Sequence, residues 1–595
     1  MGQTGSILAQ VDGQVSVLAR VGDRFISEKE FVQRFELLPA VQRNRKNQLE
    51  PAKLDLLYSL VAEKLLALEA QARRLDQDST VQAELLEMRK LLGRDELYRD
   101  EISRKVRVTA QEIDRGLREA ERELLISFLF FPKRESAEHV RRRIKSQADF
   151  NLVAIDSAMQ AVRDTATVIW GEANQSIERA AYALQPNEVS PVVPSGDGFY
   201  LLTVSKSRRS SYFTSLSPTA FRQFIVSKLR TREEEARLNE FTSVFFKDKV
   251  GSSRASVLTK LATAIVEAFK IRRDFDKILL NGAVLNEVRQ KCRESLLDTL
   301  AVAGSVHWSL GEVVEKLYSK GFSVERQRMK EIPGILNLQV REWVQQELLA
   351  QEALRRELDK RPRVREQLEM WYESFLAAKM KEYIRATTKV SESELWSHLR
   401  TRGSHLPVPT VQIRELHTSS LEEMQDAIAE LESGKSFQEV VARWSHDPIT
   451  KQAMGLSAPF QISDRHPIGE LAWEMEIGQR HGPMRTPGGY LLFELIDKDS
   501  LATRIDSTVA ERKEKATQEL LRLKRQATMG QFLAQLGAKK GFDIYQDRLM
   551  QINVSPVPMM TFRLLGFGGR MFAVPFVDRQ VEWVGITPPA GIIIP

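Results

Sequence analysis

The chain is poor in residues that staple or ligate. Its 595 residues include one cysteine, Cys292, which excludes an internal disulfide. The eight histidines have no HExxH or CxxC companion pattern, so no structural metal and no cofactor is expected. No run of 18 or more apolar residues occurs, and no segment therefore reads as a transmembrane helix. The N-terminus, MGQTGSILAQVDGQ, lacks the basic segment and apolar stretch of a signal peptide; its ILAQ still looks like the remnant of one, and residues 1–14 read as a flexible start. Charge of one sign is also scarce. The 87 basic residues exceed the 80 acidic ones by only seven, a pattern of solvated helix faces.

What is present is length and repetition. A chain of 595 residues exceeds one hydrophobic core, and 42% hydrophobic with 28% charged residues suits folded domains. VGDRFISEKEF (21–31) and AGSVHWSLGEV (303–313) each place a short apolar strand and a turn before Ser-x-x-Glu, at Ser27/Glu30 and Ser309/Glu312, the pattern of a helix capping box. The helix VAEKLLALEAQARRLD (61–76) returns as VQQELLAQEALRRELD (344–359), and Thr109-x-x-Glu112 returns as Ser391-x-x-Glu394. Three motifs recur in one order at one spacing, which predicts two tandem units.

After each helical block the period changes from helix to strand. ELLISFLFFP (123–132) reads as a buried strand and VQIRELHT (411–418) as an alternating one; a helical stretch follows, clearest over 420–445. Then 177–204 and 468–495 each read as short helix, turn, strand, glycine turn and closing strand. The reading is an α+β, helix-rich chain.

On these residues the blocks at 120–207 and 408–499 resemble parvulin-type peptidyl-prolyl isomerase domains, of the PpiC class. Leu184, Pro186, Ser190, Pro191, Gly198 and Phe199 fit the family pattern in the first, and Trp444, Ser445, Asp447, Pro448, Gly478, Pro483, Gly489 and Tyr490 in the second. The blocks before them, with VGDRFIS and EKLLALEA, resemble the helical part of the SurA, PpiD and PrsA chaperone group. The resemblance implies this layout: helical segment 15–119, parvulin-like domain 120–207, helical return and linker 208–302, second helical segment 303–402, second parvulin-like domain 408–499, C-terminal helix 500–545, and a Pro/Gly-rich apolar tail 546–595.

The family's two site histidines are missing. Their positions fall on Phe128 and Tyr200 in the first domain and on Glu415 and Leu491 in the second; of the polar site residues, Asp447 alone remains. The resemblance implies substrate contacts at Ile177, Leu184 and Phe199, and at Ile468, Met475 and Tyr490. An isomerase needs an apolar grip on the proline ring and an environment that favours the twisted amide. With the polar floor lost, binding survives more easily than catalysis.

Other chemistries fit poorly. Gly434-Lys435-Ser436 imitates the end of a phosphate loop but follows a helix, and reads as a helix end and turn. Ser445-His446-Asp447 lacks a nucleophile elbow and reads as a turn. Arg141–Arg143 and Lys206–Arg209 lack the interleaved aromatics of a nucleic-acid surface. The sequence therefore points to an ATP-independent chaperone in the periplasm or envelope that binds unfolded or extended polypeptides. Alternatives are a docking subunit of a secretion or envelope assembly, with the C-terminal tail as its contact, or an active isomerase.

Overall fold

The structure is a computed structural model that describes residues 16–37, 49–144, 149–150, 162–185, 188–249, 251–270, 276–391, 394, 398, 410–462, 464–465, 467–486, 488–499, 509–555 and 561–586. Pro186, the N-terminal ILAQ and most of the 401–410 linker lie outside these residues. The chain divides into two compact units, one formed by residues 1–97 with 249–595 and the other by 98–248. It is helix-rich, with several small antiparallel sheets.

The larger unit opens with strands β1 (Val17–Val21) and β2 (Arg24–Ser27), joined at Gly22, and helix α1 (Glu28–Leu37). The Ser27 hydroxyl accepts from the Glu30 amide at 3.1 Å. The reciprocal half expected of a capping box differs, because the Glu30 carboxylate pairs with buried Lys64 at 3.1 Å. Helix α2 (Leu49–Ala72) is central and buried on almost every side, charged residues included, and α3 (Ser79–Tyr98) follows a tight turn.

The second unit begins with α4 (Ala110–Ala120), started by a complete Thr109/Glu112 capping box. Its sheet comprises β3 (Arg122–Phe131), β4 (Val162–Ile169), β5 (Val193–Ser195) and β6 (Gly198–Arg209) in the order β4-β3-β6-β5, with α5 (Arg134–Arg143) on one face and α6 (Gln175–Ala183) on the other. Helix α7 (Pro218–Phe245) packs on α4.

The larger unit resumes with β7 (Gly251–Ser253), α8 (Ala255–Lys270), α9 (Gly282–Lys291), the hairpin β8 (Thr299–Ala303) and β9 (Val306–Ser309), and α10 (Leu310–Ser319), whose Ser309/Glu312 capping box is complete. Two long helices follow, α11 (Ile332–Arg355) and α12 (Pro362–Thr387). A second four-stranded sheet is built from β10 (Thr410–Thr418), β11 (Phe460–Gln461), β12 (Arg480–Thr486) and β13 (Gly489–Asp499) in the order β11-β10-β13-β12. The stretch 420–445, read as one helical run, breaks into α13 (Leu421–Glu432) and α14 (Phe437–Trp444) because Gly434 turns with φ +95° and Ser436 starts a new capping box with Glu439. Helices α15 (Pro448–Gln452) and α16 (Ile468–Glu474) complete the domain. Helix α17 (Val509–Lys540), strand β14 (Phe542–Ile544) and a hairpin of β15 (Phe562–Leu564) and β16 (Arg570–Phe572) close the chain.

The pairings within the helical body are crossed. Helix α2 packs on α12, where Lys64 meets Glu373 at 2.6 Å and Arg24 reaches the same carboxylate at 2.8 Å. Helix α3 reaches α11 and the turn after it, through Lys90 to Glu347 at 3.1 Å, Arg89 to Asp359 at 2.6 Å and Arg361 to Glu96 at 3.1 Å. The hairpin β1-β2 takes β14, the strand after α17, as its third strand; the hairpin β8-β9 takes β7, the strand soon after α7. One core runs through Phe31, Leu65, Leu376 and Leu533, and the tail joins it through Trp583. Ion pairs this far out of water hold only where each charge has its partner.

Candidate functional site

Both sheets present one face to a short helix, α6 or α16, and most of the positions that the sequence reading matched to the parvulin pattern fall on that face. Each closing strand begins at a glycine for a steric reason. A Cβ at Gly198 (φ +154°) would lie 2.5 Å from the Phe130 ring, and one at Gly489 (φ +130°) 2.0 Å from the Thr418 carbonyl oxygen.

In the first sheet Phe128 and Tyr200 meet with ring centroids 5.5 Å apart, and Phe130 joins them at 5.2 Å from Tyr200. Ile177 and Leu184 pack into the same cluster. The Tyr200 hydroxyl donates to Asp197 at 2.5 Å; burial, that bond and the Asp197 charge push the phenol up to about 12. This face is an aromatic cradle. Phe199, one residue from Tyr200, has the opposite strand parity and packs with Leu129, Phe131 and α5 on the other side.

In the second sheet Leu491, Met475 and Ile468 come together with Phe493 and Phe460. Tyr490 has the other parity, packs among the α13 and α14 residues, and borders the large cavity described below. Asp447 caps α15: its carboxylate accepts from the Thr450 amide at 2.8 Å and from the Thr450 hydroxyl.

This face of the second sheet also carries polar residues that the sequence reading did not single out. His417 is two residues after Glu415 and so shares its face; its Nε2 lies 3.2 Å from the Glu415 carboxylate. Arg465 grips the same carboxylate with both terminal nitrogens and lies over the Phe460 ring at 5.0 Å. Burial disfavours the Glu415 anion, but the bonds and charges of His417 and Arg465 outweigh it and hold the carboxyl below its usual range. His481 on β12 stands beside Phe493, their rings 5.5 Å apart, and burial lowers its imidazole to about 4. Period-two alternation from Glu415 was the available signal for His417. Nothing local pointed to Arg465, which reaches the floor from a loop at φ +54°.

The site face of the second sheet borders a cavity of 1710 Å³. Its other walls are α2, α12, α17 and the C-terminal tail, and Met475, Met484, Met529, Trp371 and Phe576 line it. The remaining sequence candidates have structural partners. His446 Nε2 lies 2.8 Å from Glu423, and Arg141 donates to the carbonyls of Ser190 at 2.8 Å and Ile144 at 2.9 Å. Among the described residues no helix is long and apolar enough to cross a membrane.

No protein-family model matches the sequence, and no curated protein matches it. Among solved structures the chain is similar to the peptidylprolyl isomerase PrsA of Bacillus anthracis, at 20% identity over 29% of this chain and 76% of that one, with a TM-score of 0.17. A SurA-like chaperone structure from Campylobacter jejuni aligns at 21% identity over 43% of this chain and 99% of that one, with a TM-score of 0.18. A PpiC-type peptidyl-prolyl cis-trans isomerase domain aligns at 22% identity over 17% of this chain and all of that one, with a TM-score of 0.15.

Proposed function

We propose that this chain is an ATP-independent chaperone for unfolded or extended polypeptides of the cell envelope, built from two tandem helical and parvulin-like units whose isomerase activity is weak or absent. The observation that carries the reading is the cavity between the helical body and the site face of the second sheet. Methionine and aromatic side chains dominate its apolar lining, and such side chains adapt to many sequences because the thioether is flexible and polarisable. The tandem reading is supported by the shared strand order of the two sheets and by the crossed pairing of hairpins with late strands. Weak catalysis is supported by an aromatic floor in one site and a mutually paired carboxylate, imidazole and guanidinium in the other.

The test is suppression of aggregation. A chemically denatured protein diluted into buffer with this chain at near-stoichiometric ratio, without nucleotide, is expected to scatter less light than alone. If unfolded chains are left unprotected while one folded partner co-purifies at fixed stoichiometry, the docking-subunit reading replaces this one.

A further inference from the structure

We infer that the cavity selects apolar segments that carry carboxylates, a substrate class that deepens the chaperone reading and rests on it. The argument is a charge inventory of the walls. Several lining charges neutralise one another: Lys381 pairs with Asp578 at 2.8 Å, Arg579 with Asp55 at 3.0 Å and with Glu582 at 3.2 Å, and Arg522 with Glu470. Four lining cations are left without a carboxylate at ion-pair distance among the described residues: Arg385 on α12, Arg485 on β12, and Lys515 and Arg525 on α17. Asp578, already held by Lys381, feels Arg385 at longer range.

The lining acids left over are three, Asp464, Glu474 and Glu514, and two of them are partly engaged. Asp464 accepts from the Gln461 amide at 3.3 Å, and Glu514 accepts from Gln518 at 2.8 Å. One of the four cations also has an unmet bond. The Nε of Arg525 is buried with no acceptor among the described residues, in the same helix as Met529. A buried guanidinium N–H without a partner carries a desolvation penalty that an incoming carboxylate or carbonyl oxygen removes. Cations on three different walls around methionine and aromatic surfaces match a segment that alternates apolar and acidic side chains, and repel a basic one.

The experiment uses the full chain and three short fluorescein-labelled peptides that alternate leucine and phenylalanine with glutamate, lysine or serine, read by anisotropy. The glutamate peptide is expected to bind about tenfold tighter than the lysine peptide at low salt, with the gap closing at high salt as screening sets in. Arg525→Glu with Arg385→Glu is expected to erase or reverse that order while the serine peptide keeps its affinity. Arg485→Glu, on β12, gives the same readout should the double variant fold poorly. Equal binding of the acidic and basic peptides overturns the charge preference and leaves the cavity as a client site. Failure of all three peptides to bind overturns the cavity reading itself.

Discussion

His417 stands directly across the strand pair from Leu491. The leucine stands where the resemblance to parvulins puts a closing-strand histidine, and an imidazole approaches the same patch from the opposite strand. That imidazole is tied to Glu415, and Arg465 is tied to the same carboxylate. One of its two ring nitrogens is therefore engaged inside the protein.

Isomerase activity is expected to be slight for this reason. Uncatalysed X-Pro isomerisation takes about 10–100 s at 25 °C, and the full chain is expected to shorten it little on a short prolyl peptide. Asp447→Ala is expected to leave that rate unchanged and to lower stability by about 1 kcal/mol, because the carboxylate is an N-cap of α15. A rate near that of a parvulin domain, abolished by Asp447→Ala, would show that the chain is an enzyme first.

A second expectation concerns the buried pair Arg34–Glu63. Two hydrogen bonds of 3.0 and 3.1 Å join them, and Arg34 has no exposed surface. Arg34→Met strands the Glu63 charge and is expected to cost about 3–5 kcal/mol, seen as a lower urea midpoint. Adding Glu63→Leu is expected to recover most of the loss. No recovery in the double variant would mean that packing, not charge, sets the cost.

The stability of the second four-stranded sheet is expected to depend on acid through His481. Burial holds its folded pKa at about 4, below its ordinary 6.5, so the unfolded chain takes the proton first as pH falls. The neutral imidazole's contribution is complete above pH 6.5 and is lost as the pH falls toward 4. The total is on the order of 3 kcal/mol. His481→Leu is expected to flatten the decline in melting temperature across that window; an unchanged slope would assign the acid sensitivity elsewhere.

Much of this was legible in the sequence and some was not, for physical reasons. Alternation exposed β10, and a fully apolar run exposed β3, because strand parity writes burial directly into the residue order. The same parity decides why Phe199 and Tyr490 do not join Ile177, Leu184, Ile468 and Met475: each sits one residue from a site-face position. The crossed packing of α2 on α12 was not legible. Lys64 and Glu63 look like solvent-facing charges on a Leu-rich helix, and their partners lie far along the chain or in another helix. The tail, read as a Pro/Gly-rich apolar segment and as a docking contact in the alternative reading, forms the β15–β16 hairpin and sends Trp583 into the helical core, which its Pro/Gly composition does not encode.

The last expectation uses the repeat itself. After α2 the chain turns at Arg74 with φ +59°, and after α11 it turns at Glu357 with φ +55°, two non-glycine residues in left-handed backbone at matching points of the two proposed copies. Each turn leads into a single tight helical turn, Leu75–Gln77 and Leu358–Lys360. A side chain with a Cβ costs about 1–2 kcal/mol in that conformation, whereas glycine adopts it freely at the expense of unfolded-state entropy. Arg74→Gly and Glu357→Gly are each expected to raise stability by up to about 1 kcal/mol. The Glu357 gain is the smaller, because that variant also gives up an exposed ion pair with Lys360. Arg74→Val is expected to lower stability by a similar amount, since β-branching disfavours positive φ further. Urea midpoints of the three variants decide it: if glycine destabilises at both positions, the turns are held by their side chains rather than strained by them, and their likeness across 283 residues reflects shared contacts instead of a shared backbone constraint.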